Sequence, residues 1–87
     1  MDLTQLREEI DRIDSELVDL FCQRMEITAK VADYKKEHNL PIAHPCREQE
    51  VLKRVANLAG TELEDYTRVL YATIFELSRS FQQKRNE

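Results

Sequence analysis

One glycine, two prolines and no tryptophan stand in this chain of 87 residues. A single glycine excludes the phosphate-cradling loops GxGxxG and GxxxxGK[ST], which need more than one. The two cysteines, Cys22 and Cys46, form neither a CxxC pair nor a Cys/His metal-ligand spacing. No Ser/His/Asp order of a nucleophilic triad is present. Long apolar runs are missing as well. Asp2, Arg7, Glu8 and Glu9 break up the N-terminus, so it does not read as a signal peptide, and no segment suits a membrane span. Positive charge is not in excess: the formal net charge is −4, with 34% charged residues of both signs interspersed. Phosphate backbones need a basic surface, so nucleic acid is a poor partner. Internal repeats, low-complexity tracts and linkers are also lacking. These exclusions point to one small domain, residues 1–87, in the cytoplasm with reduced thiols. A chain this short also fits a domain of a longer protein.

What is present is a rhythm. From Leu3 to His38 apolar residues recur as Leu3, Leu6, Ile10, Ile13, Leu17, Leu20, Ile27, Val31 and Tyr34. Steps of three and four place them on one stripe of a helix. No Gly or Pro interrupts before Pro41. The spacing predicts one helix of about 36 residues, roughly 54 Å long. A compact chain of this length has a radius of gyration near ~12 Å, so such a rod overhangs any core its own chain can build. Its free part needs a partner, and a second copy related by a twofold axis is the simplest one.

Asp2 and Gln5 have the spacing of a capping box for this helix. Asn39-Leu40-Pro41 should end it, because Pro41 cannot continue a helix and drives Leu40 toward extended geometry. A loop over 39–44 follows. Pro45 suits the first position of a second helix over about 45–59, with His44 as an imperfect cap and Gly60 as its left-handed stop. Thr61 is expected to cap a third helix over about 61–84, with Glu64 completing a second capping box. That helix shows two adjacent stripes, Leu63, Tyr66, Leu70, Ile74, Leu77, Phe81 and Tyr71, Phe75, Ser78, Gln82. Lys84 and Arg85 suit the negative end of its dipole. The expected fold class is all-α, three helices per chain, with the long first helix paired with a second copy.

Polar groups on apolar stripes carry the functional signal, because a buried charge is costly unless paired. Arg24 stands where the seam wants carbon. A salt bridge or a snorkelling side chain explains it as well as an anion clamp does. Lys35 follows Arg24 by eleven residues, close to three turns, so both point the same way about 16 Å apart. An ordinary solvated lysine is the plainer reading of Lys35 alone. Glu48 faces the same way as Val51 and Leu52, although an acid in a first helical turn needs no further reason. Arg47 gains nothing from that dipole. Ser78 and Gln82 share a face, and the plainer reading is a helix that turns polar near its end. Arg7 lies about 25 Å from Arg24 on the same helix, so the two meet in one site only if Arg7 comes from the other subunit. Cys22 is expected to be a buried inert thiol, and a thiol nucleophile at Cys46 lacks a histidine–acid pair.

Together these residues resemble the all-α chorismate mutases, small intertwined dimers that convert chorismate to prephenate. Leu6-Arg7-Glu8-Glu9-Ile10-Asp11-Arg12-Ile13-Asp14 resembles the family's opening. Arg24 and Glu26, Lys35, Pro41-Ile42 and Arg47-Glu48 follow its spacing, and Ser78-Arg79-Ser80-Phe81-Gln82 resembles its close. The resemblance covers nearly the whole chain. It implies that Arg24 and the partner's Arg7 hold the substrate's two carboxylates. Lys35 and Gln82 would donate to the ether oxygen of the breaking bond, and Glu48 would accept from the ring hydroxyl. Arg47 and Ser78 would line the pocket and support a carboxylate. His44 departs from the family, in which many members carry an aspartate at this loop position.

The implied reaction is pericyclic and needs no nucleophile, metal or cofactor, so none is expected. It needs a compact substrate conformer and donors aimed at the ether oxygen. A glutamine donates at any pH, so activity should vary little from weakly acidic to neutral conditions. Two rival readings remain: a lyase on the same scaffold that releases pyruvate from isochorismate, and a non-catalytic helical dimerisation module.

Overall fold

The computed structural model describes residues 1–86. It has three helices, α1 (Leu3–Glu37), α2 (Pro45–Ala59) and α3 (Glu64–Arg85), and no strand among the described residues. The all-α expectation holds, and the first two helices lie within a residue of their expected bounds.

The first helix starts as its sequence predicts. The Asp2 carboxylate accepts from the Gln5 backbone N–H at 2.8 Å, and the Gln5 side chain accepts from the Asp2 N–H at 3.0 Å. Its end uses a device beyond Pro41. Asn39 adopts a left-handed conformation (φ 56°). Its N–H donates to the Lys36 carbonyl, and the Leu40 N–H donates to the Lys35 carbonyl at 2.8 Å. This pair of bonds is the Schellman arrangement, with asparagine in the place glycine usually takes. In α2, the His44 Nδ1 accepts from the Arg47 N–H at 3.0 Å, so histidine serves as a working cap in front of Pro45.

The start of α3 differs from expectation. Thr61 does not cap it, and no second capping box forms with Glu64; the cap is Leu63, without a side-chain hydrogen bond. Gly60 sits at φ 85°, ψ 168°, a region almost reserved for glycine. The Leu63 N–H then donates to the Gly60 carbonyl at 3.2 Å. Residues 61–63 are thus used to reverse the chain, and helical bonding starts only with the Thr67 N–H on the Leu63 carbonyl.

The third helix packs against both of the others. Val51 and Val55 of α2 meet Phe75, with Leu52 and Tyr71 packed around them. Against α1 the contacts run Arg24 to Ser78, Thr28 to Gln82 and Asp33 to Arg85. Residue numbers rise together along that seam, so α1 and α3 run in the same direction. The α2–α3 contacts, from Glu48 with Arg79 to Val51 and Val55 with Phe75, run oppositely.

Residues 1–20 are all exposed. The chain extends over 54 × 26 × 15 Å with a radius of gyration of 16.0 Å, well above the ~12 Å of a compact chain. Its accessible surface is 7022 Å² for 10.3 kDa, where a compact monomer of that mass shows about 5,400 Å². Cys22 belongs to this open surface, contrary to the expected buried thiol. It precedes Arg24 by two residues, a rotation of about 200° on a helix, and so lies on the side of α1 turned away from α3.

Candidate active site

The side of α1 that faces α3 reads Arg24, Thr28, Val31, Lys35, in steps of four, three and four. These side chains form one wall of a cavity of about 560 Å³, a volume suited to a small molecule. The other walls come from the start of α2, with Arg47, Glu48 and Val51, from Phe75, Ser78, Arg79 and Gln82 of α3, and from Ile42 and His44 of the loop. Six of the seven expected site residues therefore meet: Arg24, Lys35, Arg47, Glu48, Ser78 and Gln82. Arg7 lies outside the cavity, in the exposed first turns of α1.

Each polar group on the walls has a physical reason for its place. The Arg24 guanidinium lies 5.8 Å from the Tyr71 ring centroid and 5.9 Å from that of Phe75. It also donates to the Ser78 hydroxyl at 3.3 Å. Aromatic faces stabilise a cation in this way without neutralising it, so Arg24 keeps its full charge. Ser78 in turn directs its own hydroxyl to the Met25 sulfur at 3.9 Å. The Lys35 ammonium donates to the Ile42 carbonyl at 2.7 Å, which ties the loop to α1. A lysine has three donors, so two remain for a ligand. Gln82 is only 6% exposed, and its Nε2 donates to the Thr28 carbonyl at 3.3 Å. That bond fixes the amide and leaves its second N–H free. Arg47 is more exposed, paired with Glu50 at 3.4 Å one turn along α2.

Thr28 and Arg79 are among the wall residues that sequence reasoning missed. Thr28 is buried and supplies the carbonyl that holds Gln82. It follows Arg24 by four and belongs to the same stripe. Arg79 pairs with the Glu48 carboxylate across the α2–α3 contact. It follows Phe75 by four and precedes Gln82 by three, spacings that placed it on the buried face.

Among the described residues Glu48 is the only carboxylate on these walls, against Arg24, Lys35, Arg47, Arg54 and Arg79. The excess of cations suits an anion, and the apolar patches of Ile27, Val31, Val51 and Phe75 suit a ring. A family model described as chorismate mutase type II matches residues 6–83. The chain belongs to the chorismate mutase type II family. The resemblance read from the sequence is thereby established. Among curated chorismate mutase relatives, the bifunctional chorismate mutase/prephenate dehydratase of Aquifex aeolicus is 39% identical over 57 residues, 66% of this chain and 16% of that protein. The T-protein of Haemophilus influenzae is 45% identical over 51 residues, 59% of this chain and 14% of that protein. A 4-amino-4-deoxychorismate mutase of Streptomyces venezuelae is 34% identical over 59 residues, 68% of this chain and 57% of that protein. The chain thus spans about one sixth of the first of these relatives. No solved structure matches it significantly. No described helix is long and apolar enough to cross a membrane.

Proposed function

We propose that residues 1–87 form one chorismate mutase domain, which rearranges chorismate to prephenate in phenylalanine and tyrosine biosynthesis. It works as a twofold dimer whose two sites each take residues from both chains. The observation that carries this reading is the convergence of Arg24, Lys35, Glu48, Ser78 and Gln82 on one cavity of about 560 Å³. A dimerisation module has no use for five polar groups there, where packing alone would favour carbon.

In the reaction the ether C–O bond breaks as a C–C bond forms within the same molecule. The pocket must fold an extended dianion into a chair-like conformer, and fixed contacts at both ends do that. Arg24, with the partner's Arg7, binds the two carboxylates. Negative charge gathers on the ether oxygen as the C–O bond opens. A free N–H of Lys35 and the second N–H of Gln82 stabilise it, and one such donor is typically worth about 3 kcal/mol. The free oxygen of Glu48 accepts from the ring hydroxyl, and Arg47 and Ser78 support the carboxylate end. No cofactor enters this scheme. Exposed thiols at Cys22 and Cys46 suit the reducing cytoplasm.

The open surface supports the dimer. Leu3, Leu6, Ile10, Ile13, Leu17 and Leu20 are all exposed on α1, as are Leu63 just before α3 and Tyr66, Leu70 and Leu77 on it. Burying one Leu or Ile side chain contributes roughly 1.5–3 kcal/mol, so a few offset the ~4–15 kcal/mol cost of association. The surplus of about 1,600 Å² per chain over a compact monomer is in the range of an obligate dimer interface.

The deciding experiment follows chorismate loss with product identification. Prephenate is the expected product. Pyruvate released from isochorismate, with chorismate untouched, points instead to the lyase, and inertness toward both leaves the dimerisation module. The shared site has its own test. Arg7→Ala and Arg24→Ala should each be inactive alone. After mixing and reassociation, heterodimers carry one intact site, so about a quarter of the parental activity should return. No recovery on mixing argues that each site lies within one chain.

A further inference from the structure

Glu48 is an acid in a cavity suited to a dianion, set among the cations of the other walls. Its position is explained by what it touches. Its Oε2 accepts from the Arg79 guanidinium of α3, and it sits in the first turn of α2, where the helix dipole favours a carboxylate. Its side chain and that of Arg79 are 27% and 33% exposed, so water screens the pair only partly. Among the described residues Oε1 has no partner. The carboxylate therefore offers one open acceptor while its charge is already matched.

From this geometry we infer that Arg79 is a specificity-determining positioning residue: it makes the pocket select a ring hydroxyl over a ring ammonium on the cyclohexadiene dicarboxylate. The inference rests on the proposed function, since it assumes Glu48 meets the ring substituent. A neutral hydroxyl needs only an acceptor, and the free oxygen supplies it. An ammonium needs an unmatched negative charge. Here it would approach a carboxylate already held by Arg79, with the guanidinium beside it and further cations around the cavity. Like charges at such separation repel where water is scarce. Arg79 thus acts through Glu48 and against the competing substrate. The choice is a real one within this family, because the Streptomyces venezuelae relative is named for the 4-amino-4-deoxy compound.

The test compares kcat/KM for chorismate and for 4-amino-4-deoxychorismate in the parent dimer and in Arg79→Met. The ratio of hydroxyl to amine substrate should fall about tenfold or more, with the amine substrate gaining in absolute terms and the change carried mainly by KM. Arg79→Lys keeps the charge and should hold the ratio within about threefold of the parent. Equal losses for both substrates in Arg79→Met would make Arg79 a structural residue only and overturn the inference. Should Arg79→Met not fold, Arg79→Gln reads the same ratio with an uncharged side chain, and a parental ratio there overturns it equally. A parent active on chorismate but indifferent to residue 79 sinks this inference alone. A parent inert toward both substrates sinks the proposed function with it.

Discussion

The two halves of α1 carry the same apolar rhythm and live in different surroundings. From Leu3 to Leu20 the stripe is unbroken carbon and is exposed throughout; Ile10 is 55% and Leu17 57% exposed. From Arg24 to Lys35 the helix meets α3, and Ala32 is fully buried. That second half is the one whose inward positions turn polar: Arg24, Thr28, Lys35. A stripe that closes against another copy needs only complementary apolar surface, so carbon is the best filling throughout. A wall that binds an anion must instead carry charge, and charge is tolerated only where rings, hydroxyls and carbonyls hold it. The polar interruptions thus mark which part of one continuous helix lines the cavity and which part is left open for the proposed partner.

The sharpest way to break this comparison is to put charge into the carbon half. Ile13→Asp with Leu17→Asp should abolish both dimer and turnover, read by light scattering and by chorismate loss at the same protein concentration. Two unpaired carboxylates in an apolar interface remain uncompensated there, and loss of the partner removes Arg7 from each site. A monomer that keeps full activity would show that the first half of α1 contributes nothing to catalysis.

In the polar half, Lys35→Ala should lower kcat/KM by about a thousandfold or more while dimer mass and helicity stay unchanged. A charged hydrogen bond to developing oxyanion charge is stronger than a neutral one. Part of the loss would come from the loop, since the same ammonium holds the Ile42 carbonyl. Lys35→Met preserves the stem and removes the charge, so a similar loss in both variants assigns the effect to the donor.

Gln82→Leu should cost less, about a hundredfold in kcat, because a neutral donor is lost. The parental rate should stay nearly flat from weakly acidic to neutral pH. Gln82→Glu should instead gain activity toward acid, since only a protonated carboxyl there can donate. A parent with a sharp acid optimum would remove Gln82 from its role.

Much of this was legible in the chain, for identifiable reasons. Arg24 stands out because a polar residue at core spacing breaks a periodic pattern, whereas Lys35, Glu48, Ser78 and Gln82 read singly as ordinary surface residues and gain weight only from the ordered set that resembles the chorismate mutases. Thr28 and Arg79 were not singled out, although they share those stripes, because a lone Thr or Arg on a helix so often faces water. Their roles depend on a second helix: the Thr28 carbonyl needs Gln82, and Arg79 needs Glu48. The start of α3 was misplaced because Thr61 and Glu64 match a capping box locally, while the turn set by Gly60 takes those residues for reversing the chain. The Asn39 stop was hidden behind Pro41, the louder signal two residues on.

The smallest expected effect comes from the lower end of the same seam. Arg85 donates to both oxygens of Asp33 at 3.2 and 3.0 Å, through one nitrogen rather than a two-nitrogen fork. The two side chains are 39% and 54% exposed, so water and salt screen the attraction, and ordering two side chains offsets part of it. Asp33→Asn should therefore lower stability by at most about 0.5 kcal/mol, a shift in urea midpoint that shrinks as salt is added. Turnover should be unchanged, because neither residue reaches the cavity. A loss larger than about 2 kcal/mol would mean that this exposed pair, and not the buried Thr28–Gln82 contact above it, fixes α3 against α1.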